Sequence, residues 1–501
     1  MTSNPFLLGW MQLLPVIGAL GLLFIRNQRV GWWIALGCTV GELLLAWQLL
    51  NLFDPEAITW QWHTRLPVTR ALVQLSGADG MTVLFVLLTS LLALLVVLYG
   101  GLVRRYDQLP RFFSVVLACE AALIGQFAAL DLLWFILMAA IQTVCISHLF
   151  ANWSLSSDER TAMVRYNQFM GTSLLLLLAA ALMLGWNHAL LHDGRWSFEW
   201  PLLVEDYRSN YLQTVIFYLL FYGLAIRLPL FPLHGWLPQV MEHGTVASAM
   251  VLLLGVKTGI YGIVRFVLPL FPDAVWQWHN HVIVFAVVGI FYSALLALVQ
   301  TNLRKLLAYA VISHTGILVI GLFSLHPHAF QGSLMLTASF GLAISTLMLT
   351  AGMIHLRTRG LALEQLGGLI VPLPVVGVAF LVASLSVMGM PGTPGFDAVH
   401  LLLEAAIDRF GALVTLLAAI GNLTASACLL WAFQRAFLAA PLKPVQPVSS
   451  PARSTWLEQG LAGVLIVVQL VLGFHADPWL DLVKQTSIRL AAPYMESRDQ
   501  P

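Results

Sequence analysis

The sequence predicts an all-α integral membrane protein with about 14 transmembrane helices, and three observations lead to this fold class. Of the 501 residues, 59% are hydrophobic and only 10% are charged, whereas soluble proteins have roughly 45–50% apolar and about 25% charged residues. Apolar stretches of about 18 or more residues, each long enough to cross a bilayer as a helix, recur along the chain. Basic residues are enriched in alternate connecting loops, which is typical of a chain that crosses the membrane repeatedly.

The spanning segments follow one another with few polar residues between them. The first lacks the basic start and small-residue cleavage site of a signal peptide. Residues 54–78 and 187–210 are polar enough to be loops, and 440–456 form a linker rich in proline and serine. Fourteen segments are predicted, at 6–25, 31–52, 80–103, 112–130, 131–151, 167–186, 211–231, 245–270, 279–301, 306–324, 330–355, 371–390, 411–433 and 458–475.

The distribution of lysine and arginine predicts the orientation, because these residues favour cytoplasmic loops. Loops after odd-numbered segments hold fourteen of them, and loops after even-numbered segments hold five. We therefore expect the odd loops to face the cytoplasm and both termini to lie on the non-cytoplasmic side, in what we expect to be a bacterial inner membrane. The net charge of +1 does not suggest a nucleic-acid partner.

Two spanning segments contain helix-breaking residues. Segment seven runs into the three prolines of RLPLFPLHGWLPQV, and segment twelve runs into MGMPGTPGFDAVH. Broken helices at matching places in two halves are typical of inverted-repeat transporters, so segments 4–8 and 9–13 would form two inverted five-helix repeats. The alternative is that these prolines only end helices at the membrane surface. The predicted organisation is three N-terminal helices, two antiporter-like repeats, and a linker with a last helix and short tail, at 1–111, 112–270, 279–435 and 440–501.

Two cations fall within or next to apolar segments. Lys257 lies about twelve residues into segment eight, and Arg227 ends the apolar run of segment seven. A cation near mid-bilayer costs about 2.5–3.5 kcal/mol on insertion scales and usually faces a bundle interior or water. Lysine can release its proton when it is desolvated, whereas arginine stays charged. We therefore interpret Lys257 as a proton-transfer group and Arg227 as a fixed charge, with snorkelling to the interface as the alternative for both.

Other titratable residues could extend a proton path. His234 follows the first break and His314 lies within segment ten, and histidine can relay protons near neutral pH. Either histidine could equally be a hydrogen-bonded structural group. Glu120 could lie at membrane depth, whereas Asp131 is predicted to be a helix N-cap.

Three further polar residues follow the second break. Asp397, His400 and Glu404 are spaced by three and four residues, so on a helix they share one face. This spacing suggests a lined cavity, with an exposed helix end as the alternative.

No cofactor or metal site is predicted in this chain. The sequence has no dinucleotide fingerprint and no P-loop. His243, His326 and His328 lack clustered acidic or thiol partners, which argues against a metal site. The cysteines lie in apolar segments without CxxC spacing and are predicted to be buried thiols: Cys38, Cys119, Cys145 and Cys428.

A resemblance to a known family begins at the first broken segment. The antiporter-like membrane subunits of respiratory complex I, of the chain M (subunit 4) type, have a signature similar to RLPLFPLHGWLPQVMEHGTVASAMVLLLGVKTGIYGIVRFVLPLFP. The stretches QTNLRKLLAYAVISHTGILVIGLF and MGMPGTPGF also resemble this family, and the likeness covers about residues 75 to 435. It implies fourteen helices, two inverted repeats and a row of buried charges along a hydrated axis. In that family Lys257 matches a buried lysine, Arg227 takes the position of a second lysine, and His234 and His314 lie in matching motifs.

The sequence departs from the family pattern at three positions. Ala140 stands where the family has a glutamate in segment five, and Phe340 replaces a histidine in segment eleven. Val399 stands where segment twelve has an acid, for which Asp397, His400 or Glu404 could substitute. The resemblance therefore implies a divergent relative with an altered half-channel.

Four functions remain open from the sequence. The first is a proton-translocating subunit of a complex I-like NADH:quinone oxidoreductase, with other membrane and peripheral subunits as partners. The second is a subunit of an inorganic carbon uptake complex, which couples proton flow to CO2 hydration by a cytoplasmic zinc partner. The third is a subunit of a multisubunit cation/proton antiporter, and the fourth is a structural membrane scaffold. In each, this chain itself carries no redox or hydrolytic site.

Overall fold

The structure, a computed structural model, describes residues 6–67, 73–103, 108–153, 159–206, 212–442 and 454–496. Most of these residues are helical, and one two-stranded hairpin precedes α3. The elements are α1 Leu7–Leu23, α2 Gln28–Leu52, β1 Gln61–Pro67, β2 Val73–Ala78, α3 Gly80–Val103, α4 Leu109–Phe127, α5 Leu132–Asn152, α6 Glu159–Leu191, α7 Trp200–Asp206, α8 Gln213–Arg227, α9 Leu237–His243, α10 Val246–Gly262, α11 Leu268–Leu270, α12 Pro272–Leu298, α13 Leu303–Leu322, α14 Pro327–Thr358, α15 Pro374–Met388, α16 Gly395–Phe433, α17 Trp456–Phe474 and α18 Asp477–Glu496.

The helices confirm the predicted membrane class. Within the described ranges, 11 helical stretches are long and apolar enough to cross a bilayer, and α1, α8 and α15 are shorter apolar helices. Together these fourteen correspond one to one with the predicted segments. The two predicted breaks are present, since α8 and α9 are separated by residues 228–236 and α15 and α16 by residues 389–394.

Side-chain caps explain where many of the helices begin. Asp131 accepts a hydrogen bond from the Trp134 backbone N–H at 2.7 Å, as expected for the predicted N-cap. Thr455 and Glu458 form a reciprocal capping box at the start of α17. The side-chain oxygens of Asn27, Thr245 and Asn302 likewise accept hydrogen bonds from backbone N–H groups at the starts of α2, α10 and α13.

Three regions predicted as loop or tail are more ordered than expected. Residues 61–67 and 73–78 form the antiparallel strand pair β1–β2 within the predicted loop at 54–78. Residues 200–206 form the short helix α7 within the predicted loop at 187–210. The predicted tail forms α18, a 20-residue helix, which packs against α3 and α14. Most of the linker at 440–456 lies outside the described residues.

Helix α14 lies at the centre of the bundle. Its membrane-spanning stretch is entirely buried within the chain. The helix packs against α3, α10, α13, α15, α16, α17 and α18. Helix α16 changes direction at Gly411, whose φ of 75° lies in the left-handed region that favours glycine. This arrangement places α10, α13 and α14 side by side, where the candidate site lies.

Candidate functional site

The first helix break leaves backbone groups that the local structure satisfies. The indole N–H of Trp236 donates to the Ile226 carbonyl at 3.0 Å, across the break. The Leu230 backbone N–H donates to the Ala225 carbonyl, also at 3.0 Å. Non-helical backbone at membrane depth persists only where its polar groups find such partners, so the break is a built feature of the fold.

Arg227, the last residue of α8, is 3% exposed and is held by neutral groups alone among the described residues. Its guanidinium donates to Ser173 Oγ at 3.1 Å, Thr143 Oγ1 at 3.2 Å, the Ala139 carbonyl at 3.3 Å and Gln142 Oε1 at 3.4 Å. A cavity of about 10 Å³ beside it has room for about one water molecule. Arg227 is therefore a buried charge without an acidic partner in the described part of the chain.

Gln142 is an amide neighbour of Arg227, whose Nη1 donates to Gln142 Oε1. Its Oε1 also accepts from Gln126 Nε2 at 3.0 Å, which links α4, α5 and α8. Ala140, at the position of the family glutamate, is half-buried and follows the residue whose carbonyl accepts from Arg227. In segment five the described groups that contact Arg227 are therefore neutral: an amide, a hydroxyl and a backbone carbonyl.

Lys257 lies within α10 and is 5% exposed. Its Nζ is 5.1 Å from the centre of the Phe340 ring, a cation–π distance. Its Cε would lie 2.9 Å from a Cβ added at Gly341, so the lysine passes close to the backbone of α14. Among the described residues the ammonium has no ion-pair partner, which is costly at this depth.

The Phe340 ring also contacts the imidazole of His314, which belongs to α13. The two rings stack with centroids 3.8 Å apart and planes 14° apart. Both ring nitrogens of His314 are buried, and neither has a hydrogen-bond partner among the described residues. Phe340 therefore contacts both Lys257 and His314, and it offers neither of them a hydrogen-bonding atom.

His234 lies in the turn after α8, beside aromatic rings rather than charged groups. Its ring centre is 5.4 Å from that of Tyr292 and 5.7 Å from that of Phe231. Its Nδ1 is buried, and the described residues provide no partner for it. The structure does not bring His234 into hydrogen-bond contact with Lys257 or Arg227.

Glu120 points to a different part of the bundle, where the sequence reasoning missed Glu42. Both carboxyl groups are buried and have no hydrogen-bond partner within the described ranges. Gly18 of α1 lies against Cys38 of α2 and Leu117 of α4. Because α2 and α4 are both even-numbered spans and run in the same direction, about one more turn along each brings Glu42 and Glu120 to the same depth. The two carboxyl groups interact electrostatically. An acid in the middle of an apolar segment was the signal that could have found Glu42.

The residues after the second break lie on an outward face of α16. The side chains of His400 and Glu404 are 71% and 58% exposed, with His400 Nε2 and Glu404 Oε2 4.0 Å apart. Asp397 is half-exposed. They share a face, as their spacing indicates, and among the described residues that face is exposed rather than enclosed.

A buried ion-pair cluster at the start of α3 was not anticipated from the sequence. The Asp79 carboxylate accepts from Arg265 at 2.8 and 2.9 Å and from Arg489 at 3.1 Å. Burial raises the pKa of Asp79, but the two guanidinium groups and the Thr82 backbone N–H outweigh it and lower the pKa to about 2. This cluster connects α18 to α3 and to the end of α10.

Comparison with known proteins places the chain in a family. Residues 129–424 match the family described as NADH:quinone oxidoreductase/Mrp antiporter, TM. The chain belongs to this family. Members of this antiporter family resemble it over nearly its whole length. NADH-quinone oxidoreductase subunit M of Escherichia coli (strain K12) is 30% identical over 502 residues, which covers 95% of this chain and 96% of the relative. NADH-ubiquinone oxidoreductase chain 4 of Arabidopsis thaliana is 30% identical over 449 residues, which covers 88% of each.

Solved structures of antiporter-family complexes show the same fold. A chain of respiratory complex I from Thermus thermophilus with bound NADH superposes with a TM-score of 0.85 at 25% identity, covering 96% of this chain and 99% of that one. A chain of the Mrp complex from a Dietzia species has a TM-score of 0.86 at 18% identity, covering 99% of both, and shows the fold alone. The protein is therefore a multi-pass membrane protein of a family whose members work within multisubunit complexes.

Proposed function

We propose that this chain is the proton-translocating membrane subunit of a complex I-like NADH:quinone oxidoreductase. The observation that carries the proposal is Lys257, a buried ammonium over the Phe340 ring without an ion-pair partner among the described residues, in a chain of the antiporter family. An unpaired cation at this depth lowers stability, so its presence favours a functional role. The relatives compared above are named quinone oxidoreductase subunits, which favours this function over inorganic carbon uptake and cation/proton exchange.

The proposed proton path has its centre at Lys257. Arg227 contributes a fixed charge and holds a water-sized cavity beside Gln142. Lys257 gains and releases the proton, and His314 is the nearest titratable group across the Phe340 ring. His234 lies beside the first break and would receive protons through water rather than directly. In this proposal residues 112–270 and 279–435 form the two repeats.

Glu42 and Glu120 form a second part of the proposed path. Two carboxylates at one depth, with no ion-pair partner among the described residues, cannot both be charged at low energetic cost. We therefore propose that at least one of the two carboxyl groups holds a proton, which it can exchange through water.

The outward-facing residues of α16 are proposed to connect this chain to a neighbouring membrane subunit. His400 and Glu404 are exposed in a helix that lies within the membrane-spanning part of the fold. Charged groups are rarely left facing lipid, so an adjacent subunit would cover them. Peripheral subunits would supply the redox energy, because no redox site is proposed in this chain.

The proposed setting is a bacterial inner membrane with both termini on its non-cytoplasmic side. A reporter that is active only outside the cytoplasm, fused after residue 501, is expected to be active. The same reporter inserted at residues 104–107, in a basic loop, is expected to be inactive. The reverse pattern would invert the topology and contradict the charge rule used here.

Ion flux tests the proposed function. The complex that contains this chain, purified and reconstituted in vesicles, is expected to acidify one side when NADH reduces a quinone. Flux is expected to continue when Na⁺ is replaced by K⁺. Flux that requires Na⁺ would favour a cation/proton antiporter. Association with a carbonic-anhydrase-like partner, without quinone reductase activity, would favour inorganic carbon uptake.

Replacing the amide beside Arg227 with an acid is expected to increase proton flux. The substitution Gln142→Glu puts a titratable carboxylate within contact of the Arg227 guanidinium, and Ala140→Glu puts one at the family position. We expect more protons to be translocated per quinone reduced than in the wild type. The control Gln469→Glu makes the same change at a buried glutamine bonded to Thr346. Equal flux in all variants would show that segment five is no longer part of the path.

Replacing Phe340 with histidine tests whether Phe340 interrupts proton transfer between Lys257 and His314. The substitution Phe340→His is expected to raise proton flux several-fold, because an imidazole can exchange hydrogen bonds with both neighbours. Phe330→His, on the same helix and also fully buried, is the matched control for lost aromatic packing. If both variants lower flux equally, Phe340 is only a packing residue.

A further inference from the structure

A cluster of two histidines and an aspartate lies apart from the proposed proton path, where α6 and α7 end. His188 and His192 are separated by four residues, one helical turn, and Asp206 is the last residue of α7. His188 Nδ1 lies 2.5 Å from Asp206 Oδ2, and His192 Nε2 lies 3.1 Å from Asp206 Oδ1. One potential ligand atom from each residue lies within 4.8 Å of the others, and within the described residues this is the one such group of three.

The backbone after α6 positions the second histidine. The His192 N–H continues the helical pattern by donating to the His188 carbonyl at 3.0 Å, and the Gly194 N–H then donates to Ala189 at 2.8 Å. The positive φ of Gly194, 78°, lets the chain turn there. The two imidazole rings lie close together, with centroids 4.2 Å apart and planes tilted by 31°. Both rings thus approach the same carboxylate from one side.

The exposure of the three side chains is that of a ligand-binding site with an open position. His188 and Asp206 are 6% and 12% exposed, whereas His192 is 48% exposed. Two imidazole nitrogens and one carboxylate oxygen are a donor set that suits Zn²⁺ and Cu²⁺ better than Ca²⁺ or Mg²⁺, which prefer oxygen ligands. Three protein ligands leave a fourth tetrahedral position for water. A pair of histidines four residues apart on a helix is a common way to supply two of these ligands.

We propose that His188, His192 and Asp206 bind one divalent transition-metal ion, with Zn²⁺ as its probe. The ion replaces the direct contacts between the carboxylate and the imidazoles, and it joins the end of α6 to the end of α7. The cluster follows an even-numbered span, so by the predicted topology it faces the non-cytoplasmic side. Its assignment does not depend on the function proposed above, because no group of the proton path belongs to it.

Zinc binding by the purified chain in detergent tests the site, with metal content and titration calorimetry as readouts. We expect one Zn²⁺ per chain in the wild type. His192→Ala and Asp206→Asn are expected to weaken zinc binding about tenfold or more. Loss of a residue that only hydrogen-bonds to a metal ligand weakens binding about 10–100-fold, and loss of a ligand itself should cost at least as much as the lower of these values. His148→Ala, which removes an exposed histidine at the end of another span, is the matched control and is expected to bind like the wild type.

Folding is checked separately, so that a misfolded variant cannot imitate loss of the site. Thermal unfolding in EDTA is expected to be the same for wild type and His192→Ala, and added ZnCl₂ is expected to raise the Tm of the wild type alone. No zinc in the wild type, or equal zinc in His192→Ala, would overturn the proposal. The contacts of Asp206 with the two imidazoles would then be structural hydrogen bonds rather than part of a metal site.

Discussion

Replacing Lys257 with alanine is expected to abolish redox-driven proton translocation while the complex still assembles. Lys257 is 5% exposed, and its ammonium lies over the Phe340 ring. The substitution removes a buried cation whose cost is about 2.5–3.5 kcal/mol at mid-membrane, so folding is expected to be unaffected or improved. We expect proton flux to fall at least about tenfold, which corresponds to ~1.4 kcal/mol, as measured by acidification of vesicles.

Two further variants separate proton transfer from a purely electrostatic role. Lys257→Arg keeps the charge but cannot release the proton, so it is also expected to be inactive. Lys305→Ala, which removes a half-exposed lysine bound to Glu242 at 2.9 Å, is expected to leave flux close to the wild-type value. Normal flux in Lys257→Arg would mean that Lys257 supplies only a fixed charge. Normal flux in Lys257→Ala would favour the scaffold function.

Replacing Asp79 with asparagine is expected to destabilise the fold more than any surface change. Its carboxylate forms ion pairs with both Arg265 and Arg489, and its side chain is 7% exposed. Breaking a buried pair by removing one partner costs about 3–5 kcal/mol, because a charge remains buried without compensation. We therefore expect a large fall in the Tm of the detergent-solubilised protein and early loss of α18 in proteolysis. Glu199→Gln, at an exposed ion pair with Arg65, is the control and should cost about 0–1 kcal/mol.

The pH dependence of this effect has a definite sign. The folded pKa of Asp79, about 2, lies below the ordinary value of 3.8. The stability it contributes is therefore fully present above pH 3.8 and is lost as the pH falls towards 2. The difference in Tm between wild type and Asp79→Asn should stay constant from about pH 5 to pH 8. A difference that shrinks within this range would mean that the carboxylate is not held by the two arginines.

Within the proposed path, the local sequence pattern predicted the surroundings of some residues but not of others. The burial of Lys257 and Arg227 agrees with their places in apolar segments, because a charge among apolar residues must avoid lipid. The i,i+4 spacing of His400 and Glu404 indicated a common face but not which way that face points. Glu42 and Asp79 were missed because each is a single acidic residue in an otherwise ordinary apolar or loop stretch. The residues that surround each of them in the fold are distant in sequence.

Hydropathy and proline position act within a single segment, so they dictated the fourteen spans, the two breaks and the membrane class before any contact was known. Which side chains meet depends on the rotation of each helix about its axis, and packing against distant helices sets that rotation. Packing alone placed Phe340 between Lys257 and His314, turned Glu120 towards Glu42, and brought Arg489 of the C-terminal helix to Asp79. These pairs join residues from 26 to 410 positions apart, a range over which no periodic pattern carries information.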